Sequence, residues 1–338
     1  MEDYITSGGL PAIYRCEQAN RTQEEWWALG HKELVLGVFC LIYGCVAIPL
    51  YFLVISALLQ KELRKIVAYK LMLFLCCVDI VGIVPNSVIS GVFFIQGAVY
   101  CNYPNFIYLW GCVCLGWWGG VCCGGFVLGI TRLVDLFSSQ LHDRLFGGKR
   151  IIFSFLFIFA YQGYFLFFTR PVLFNSVART WFFDPLIFPD GSHVADYACW
   201  ALTFNNTGTV SVTLCLYFLF VIIFVSKYKG KGNLSKQTLQ MFIQTTVICF
   251  NNMTLALIYV VMSYIHVTET VSSIGLLFWQ MTTSGGIFVL LGLNKTVRGI
   301  VFKKIGLSRF VGRSFVAMSS NQAVTNAMPT QSSGIVLL

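Results

Sequence analysis

Residues 34–59 read L-V-L-G-V-F-C-L-I-Y-G-C-V-A-I-P-L-Y-F-L-V-I-S-A-L-L, 26 positions without a charge. The apolar side chains follow one another continuously instead of recurring at helical or strand intervals, so no face is reserved for water. A helix needs about 20 apolar residues to cross the hydrocarbon core of a bilayer, and this block exceeds that length. Six further blocks follow at 66–92, 105–131, 150–169, 202–226, 238–264 and 270–293. The reading is an all-α membrane protein, a seven-transmembrane-helix bundle filling residues 34–293. Pro49 and Pro85 fall inside two of the blocks, where neighbouring helices re-satisfy the carbonyls that proline frees.

Composition supports the same reading. Of 338 residues 57% are hydrophobic and 11% charged, and the mean hydropathy is +0.74. A soluble domain carries about a quarter charged residues, so an ordinary soluble enzyme is excluded, as is a disordered chain. Residues 1–33 lack the charged start and apolar core of a cleavable signal, and the first span is expected to act as its own insertion signal.

The basic residues orient the bundle. Eighteen of the 23 Lys and Arg fall in the first, third and fifth connections and the C-terminal segment, and five on the other side (Arg15, Arg21, Lys32, Arg170 and Arg179). Basic loops stay in the cytoplasm, so the N-terminus is expected outside and the C-terminus inside. The net charge of +9 is then a collar facing the inner leaflet, and nucleic acid is not an expected partner. Of the sequons, Asn20 falls outside and is the expected glycosylation site. Asn205 also falls outside but close to the membrane. Three cysteines are placed outside: Cys16, Cys101 and Cys199. An oxidising exterior permits a bridge, expected between Cys101 and Cys199, with Cys16 left free or competing. The other ten lie in the apolar blocks, where cysteine packs as a small polarizable residue.

Seven spans with an external N-terminus, a cysteine before the third span and another in the second outer loop form the layout of a G-protein-coupled receptor. Particular stretches are similar to a narrower group: Y-G-C-V-A-I-P-L-Y at 43–51, A-Y-K-L-M-L-F-L-C-C-V-D-I at 68–80 and G-A-V-Y-C-N-Y-P at 97–104. P-V-L-F-N-S at 171–176, W-F-F-D-P at 181–185 and L-N-K-T-V-R at 293–298 continue it. In this order, over residues 25 to 305, the chain resembles the nematode serpentine receptor class T chemoreceptors. The resemblance implies a plasma-membrane receptor of sensory neurons and their cilia. Such a receptor detects an external small molecule and signals through a heterotrimeric G protein. Thr131-Arg132-Leu133 departs from the acidic-Arg-aromatic triplet of rhodopsin-like receptors, and the Asn-Pro-x-x-Tyr and Cys-Trp-x-Pro signatures are missing.

Within that frame several residues stand out. Asp79 is the acidic residue placed in mid-membrane. A carboxylate there costs several kcal/mol and should face the bundle interior, with Asn86 and Asn294 as expected partners in a polar network. Arg132, at the inner end of the third span, is expected either to snorkel to headgroups or to contact the G protein. Gly116, Gly120 and Gly124 allow close helix approach, with internal packing expected ahead of a homodimer interface. Gln237, Gln240, Gln244 and Asn251 share a face of the sixth span, beside Asn252, and should point inward. The expected ligand wall comprises Trp110, Trp117, Tyr259, Trp279 and Gln280, against the blander reading of each as packing or interfacial belt. Residues 294–307 read as an amphipathic helix on the inner leaflet, and 308–338 as a disordered tail.

A ligand-gated channel or a transporter of small solutes is the alternative. One intramembrane aspartate and no repeat between the halves make a thin conduction path. No metal-ligand cluster and no nucleophile with a base is apparent, so neither enzymatic activity nor a metal or cofactor is expected.

Overall fold

The structure, a computed structural model, describes residues 1–188, 194–228, 236–262 and 268–307. The segment 308–338, expected to be a disordered tail, lies outside the described residues. Among the described residues, seven helices are long and apolar enough to cross a membrane. They are α1 (Leu34–Leu58), α2 (Val67–Gln96), α3 (Pro104–Phe137), α4 (Ile151–Phe168), α5 (Trp200–Tyr228), α6 (Lys236–Met262) and α7 (Glu269–Leu293). A shorter helix, α8 (Lys295–Lys304), follows α7 after Asn294, whose side chain accepts from the Val297 amide and caps it.

The surface of the bundle is apolar. Phe153, Phe218 and Phe204 stand 70%, 68% and 75% exposed, an exterior that only a lipid solvent tolerates. The polar groups of the spans go inward: Asp79, Asn86, Gln244, Asn252, Thr283 and Asn294 are all buried. α3 is the central helix and packs against α2, α4, α5 and α6. Its glycines explain how. A Cβ on Gly119 or Gly116 would lie 2.8–3.0 Å from Phe165 or Leu166 of α4, and one on Gly124 would lie 2.8 Å from Leu75 of α2. The small-residue face is thus covered within the chain.

In α2 the helix Val67–Ile83 widens into a π turn over Val84–Ile89 and resumes at Ser90–Gln96. Pro85 is the physical reason, since it lacks an N–H and crowds the preceding turn. The Ser90 hydroxyl donates to the Pro85 carbonyl at 2.7 Å. It also accepts from the Trp181 indole at 2.8 Å, which pins the following loop to the distorted turn.

That loop carries an antiparallel hairpin, β1 (Leu173–Asn175) with β2 (Thr180–Phe182), paired Leu173 to Phe182 and Asn175 to Thr180. It lies against the N-terminal end of the bundle, close enough to α3 that a Cβ on Gly111 would meet the Val172 carbonyl at 1.8 Å. Arg179, at φ 53° in the hairpin turn, extends its guanidinium to Glu33 just before α1, with an Nε contact of 2.8 Å, and to Glu269 at the start of α7 at 3.3 Å.

Residues 1–33 fold over this same end. Tyr14, 2% exposed, sits edge-on to Tyr108, its carbonyl accepts from Tyr100 at 3.0 Å, and Tyr197 donates to the Ile13 carbonyl at 2.8 Å. The fold-back brings Cys16 to Cys101, with Cα atoms 5.8 Å apart, and these two form the disulfide. This corrects the expected Cys101–Cys199 bridge. Cys199 is a buried free thiol just before α5, and burial raises its pKa. The cysteine that sequence reasoning left over is brought into position by Tyr14.

Candidate functional site

The core of the bundle holds a chain of polar contacts joined to a cavity, and α3 supplies the residue common to both. Asp79 of α2, 4% exposed, receives two donors. The Tyr51 phenol of α1 donates to Oδ2 at 2.9 Å and the Trp117 indole of α3 donates to Oδ1 at 3.4 Å. Tyr51 also reaches the Thr283 carbonyl of α7 at 2.6 Å, so four helices meet at one carboxyl. Gly286 keeps the approach open, because a Cβ there would stand 3.3 Å from Asp79 Oδ2. A buried carboxyl supplied with convergent donors is the arrangement that makes such a group tolerable in a low-dielectric interior.

Asn86 joins this cluster through α7. Its amide donates to Thr283 Oγ1 at 3.3 Å, while Gln280 donates to the Asn86 carbonyl at 3.4 Å and to Cys40 Sγ at 3.0 Å. Asn294 does not join it. It follows Thr283 by 11 positions in the chain, about 16 Å along a helix, and belongs to a separate cluster. There it donates to the Tyr69 phenol at 3.0 Å and to Gln244 Oε1 at 3.1 Å, tying α7 to α2 and α6. The single network expected from the sequence is therefore two, one at each depth.

The Asn294 cluster adjoins Arg132. That guanidinium is 7% exposed, contacts Asp135 Oδ2 at 3.4 Å one turn further along α3, and interacts electrostatically with Tyr69. The carboxylate missing beside the arginine in sequence is supplied at i+3, which lies on the same face of a helix.

Towards the N-terminal end lies a small cavity of about 40 Å³. Trp117 and Trp118 of α3, Tyr259 of α6 and Trp279 of α7 form its walls, with Val172 and Trp181 of the hairpin segment above. Trp117 stacks obliquely between its neighbours, 5.6 Å from Trp118 and 5.8 Å from Trp279. Asn206 of α5 is a polar element of the wall and accepts from the Trp118 indole at 2.7 Å. The Trp279 indole N–H is buried without a hydrogen-bond partner among the described residues. Among the described residues no charged side chain lines the space.

Of the five residues expected at a ligand wall, Trp117, Tyr259 and Trp279 line this cavity. Trp110 does not; it is half-buried beside Phe106, two turns before Trp117 along α3. Gln280 does not either, since its side chain turns to α1 and α2. A helix turns about 100° per residue, and here that rotation carries the Gln280 side chain to Cys40 and Asn86 while Trp279 faces the cavity. Sequence reasoning missed Trp118, Trp181 and Asn206. For Asn206 a signal existed, two adjacent amides (Asn205 and Asn206) within an apolar block. For Trp181 it was the aromatic loop segment W-F-F-D-P.

A family model described as "Serpentine type 7TM GPCR chemoreceptor Srt" matches residues 3–313. The chain belongs to the Srt family of serpentine chemoreceptors. Among curated proteins it is similar to serpentine receptor class T-55 of Caenorhabditis elegans, 25% identical over 318 residues that cover 91% of this chain and 84% of that receptor. Among solved structures it is similar to squid rhodopsin, with TM-score 0.58 at 11% identity, covering 95% of this chain and 96% of the other. The rhodopsin likeness establishes the seven-helix fold. The Srt match carries a chemoreceptor assignment of G-protein-coupled type and a multi-pass membrane location.

Proposed function

We propose that this Srt protein is a chemosensory G-protein-coupled receptor that binds a small uncharged molecule between Trp117, Tyr259 and Trp279 and activates a heterotrimeric G protein at the Arg132 end. The observation that carries the reading is the double role of Trp117. Its ring walls the cavity while its N–H donates to Asp79, and Tyr51 links that carboxyl to α7. A molecule that displaces the Trp117 ring alters a contact shared by α1, α2, α3 and α7, which is how differential affinity for two bundle states becomes a signal. The chemistry of the cue follows from the walls. Aromatic faces favour an apolar body, and the unpartnered Trp279 N–H suits one acceptor oxygen.

The basic connections favour the Arg132 end as the cytoplasmic one. Family resemblance supports the plasma membrane of sensory cilia as the location. The exposed Asn20, followed by Arg21-Thr22, is then the N-glycosylation site, and a glycosidase-sensitive mass shift lost in Asn20→Gln tests the orientation. The test of function is G-protein activation in cells exposed to a panel of neutral volatile and water-soluble compounds. A responding compound should lose potency in Trp279→Phe and lose efficacy in Arg132→Ala. Current carried by the protein without any G protein would overturn the assignment in favour of a ligand-gated channel.

A further inference from the structure

A second space lies apart from the cavity, on the flank of the bundle. α4 packs on α3 and makes little direct contact with α5, which leaves a groove of about 1130 Å³ including its open mouth. Phe157 and Tyr164 of α4 and Phe204 of α5 form aromatic walls. Phe157 and Phe204, 56% and 75% exposed, stand at the lipid-facing side, so the groove opens to hydrocarbon. Its floor is polar. Asn252 of α6 is 4% exposed, lines the groove, and its side-chain amide makes no hydrogen bond to another described residue. An amide buried at this depth without a partner costs free energy on the order of a lost hydrogen bond, and the groove is where a partner would come from. At its edge Tyr161 donates to Asn205 Oδ1 at 2.8 Å and bridges α4 to α5.

We propose that this groove is a binding site for a sterol-like lipid, a rigid neutral body with one hydroxyl, which enters from the bilayer and hydrogen-bonds to Asn252. Each element of the chemistry has a cause. Among the described residues no charged side chain lines the groove, which disfavours a carboxylate or phosphate head buried there. A primary amide both donates and accepts, as a hydroxyl does. Broad ring faces pack against a rigid flat body with little entropy to lose. The site does not depend on the central cavity or on any G protein.

The experiment uses the full chain in phosphatidylcholine nanodiscs with three photoreactive probes: a sterol, a fatty acid and a phosphatidylcholine. The sterol probe is expected to label α4 and α5 peptides saturably and to be displaced by unlabelled sterol. Labelling should fall about fivefold in Asn252→Leu, the size expected for one hydrogen bond of ordinary strength. Gly208 lines the groove with nothing within 4 Å of an added Cβ, so Gly208→Phe should fill the groove and abolish labelling without disturbing the fold. Gly163 has equally open surroundings and does not line the groove, so Gly163→Phe should label as the parent does. Non-saturable labelling by all three probes would reduce the groove to ordinary lipid contact and overturn the proposal. So would saturable labelling by the fatty acid or phospholipid in place of the sterol, or full sterol labelling in Gly208→Phe.

Discussion

The Tyr51 phenol stands 2.9 Å from the carboxyl of Asp79 and 2.6 Å from the carbonyl of Thr283, so one hydroxyl holds α1 to both α2 and α7. Tyr51→Phe keeps the ring and removes the hydroxyl, leaving a buried carboxyl short of one donor. Such a loss costs roughly 1–3 kcal/mol. The melting temperature of the purified protein in detergent should drop, and an unchanged value would mean that Asp79 draws its support elsewhere.

Gly82 faces the Trp117 indole so closely that an added Cβ would lie 2.4–2.6 Å from three ring atoms. The indole is held on its other sides by Trp118 and Trp279. Gly82→Ala should therefore destabilise by about 1–3 kcal/mol, the usual cost of overpacking a dense core, and should change tryptophan fluorescence. Gly292, with nothing within 4 Å of its Cβ position, provides the contrast, because Gly292→Ala should leave both readouts unchanged.

Cys199 and Cys16 separate cleanly in alkylation. Cys16→Ser should release Cys101 as a new reactive thiol, while Cys199→Ser should leave the Cys16–Cys101 bridge intact under non-reducing mass analysis. Because burial raises the Cys199 pKa, the thiolate that reacts with iodoacetamide is scarcer than for a free cysteine at neutral pH. Its rate should be low near pH 7 and should climb only at pH values above those where an ordinary thiol ionises. Fast reaction at pH 7 would show that the thiol is neither buried nor protonated.

Arg179 joins the starts of α1 and α7 through Glu33 and Glu269. Its partners are part-exposed, with side chains 25% and 54% accessible, so the clamp should contribute about 1 kcal/mol and be screened by salt. Arg179→Ala should lower the melting temperature at low ionic strength and have little effect in molar salt. A loss that persists in high salt would point to packing of the hairpin as the dominant role.

The helical spans were legible because lipid imposes length and apolarity on every residue of a crossing. Partnerships between spans were less so. Asp79 announced that it needed company, yet its donors, Tyr51 and Trp117, come from a tyrosine and a tryptophan that look like any others in an aromatic-rich chain. Chemistry groups Asn294 with Asp79, but chemistry carries no depth, and the capping of α8 fixes Asn294 at the other end. The disulfide failed for a related reason. Position relative to the membrane sorted the three outer cysteines to one side, and nothing in their spacing revealed that residues 1–33 fold back through Tyr14. Size and polarity single out Trp110 and Gln280, whereas rotation about the helix axis turns Gln280 toward α1 and α2 and two helical turns separate Trp110 from Trp117.

The staple between Cys16 and Cys101 has a consequence for traffic into the chamber below. Residues 1–33 are held by that bridge, by Tyr14 wedged among Tyr100, Tyr108 and Tyr197, and by the Met1 amine on the Phe167 carbonyl, so they form a cover fastened at several points. Under the proposed receptor reading, a solute arriving from water meets this cover before the tryptophans, so severing its fastenings should quicken entry.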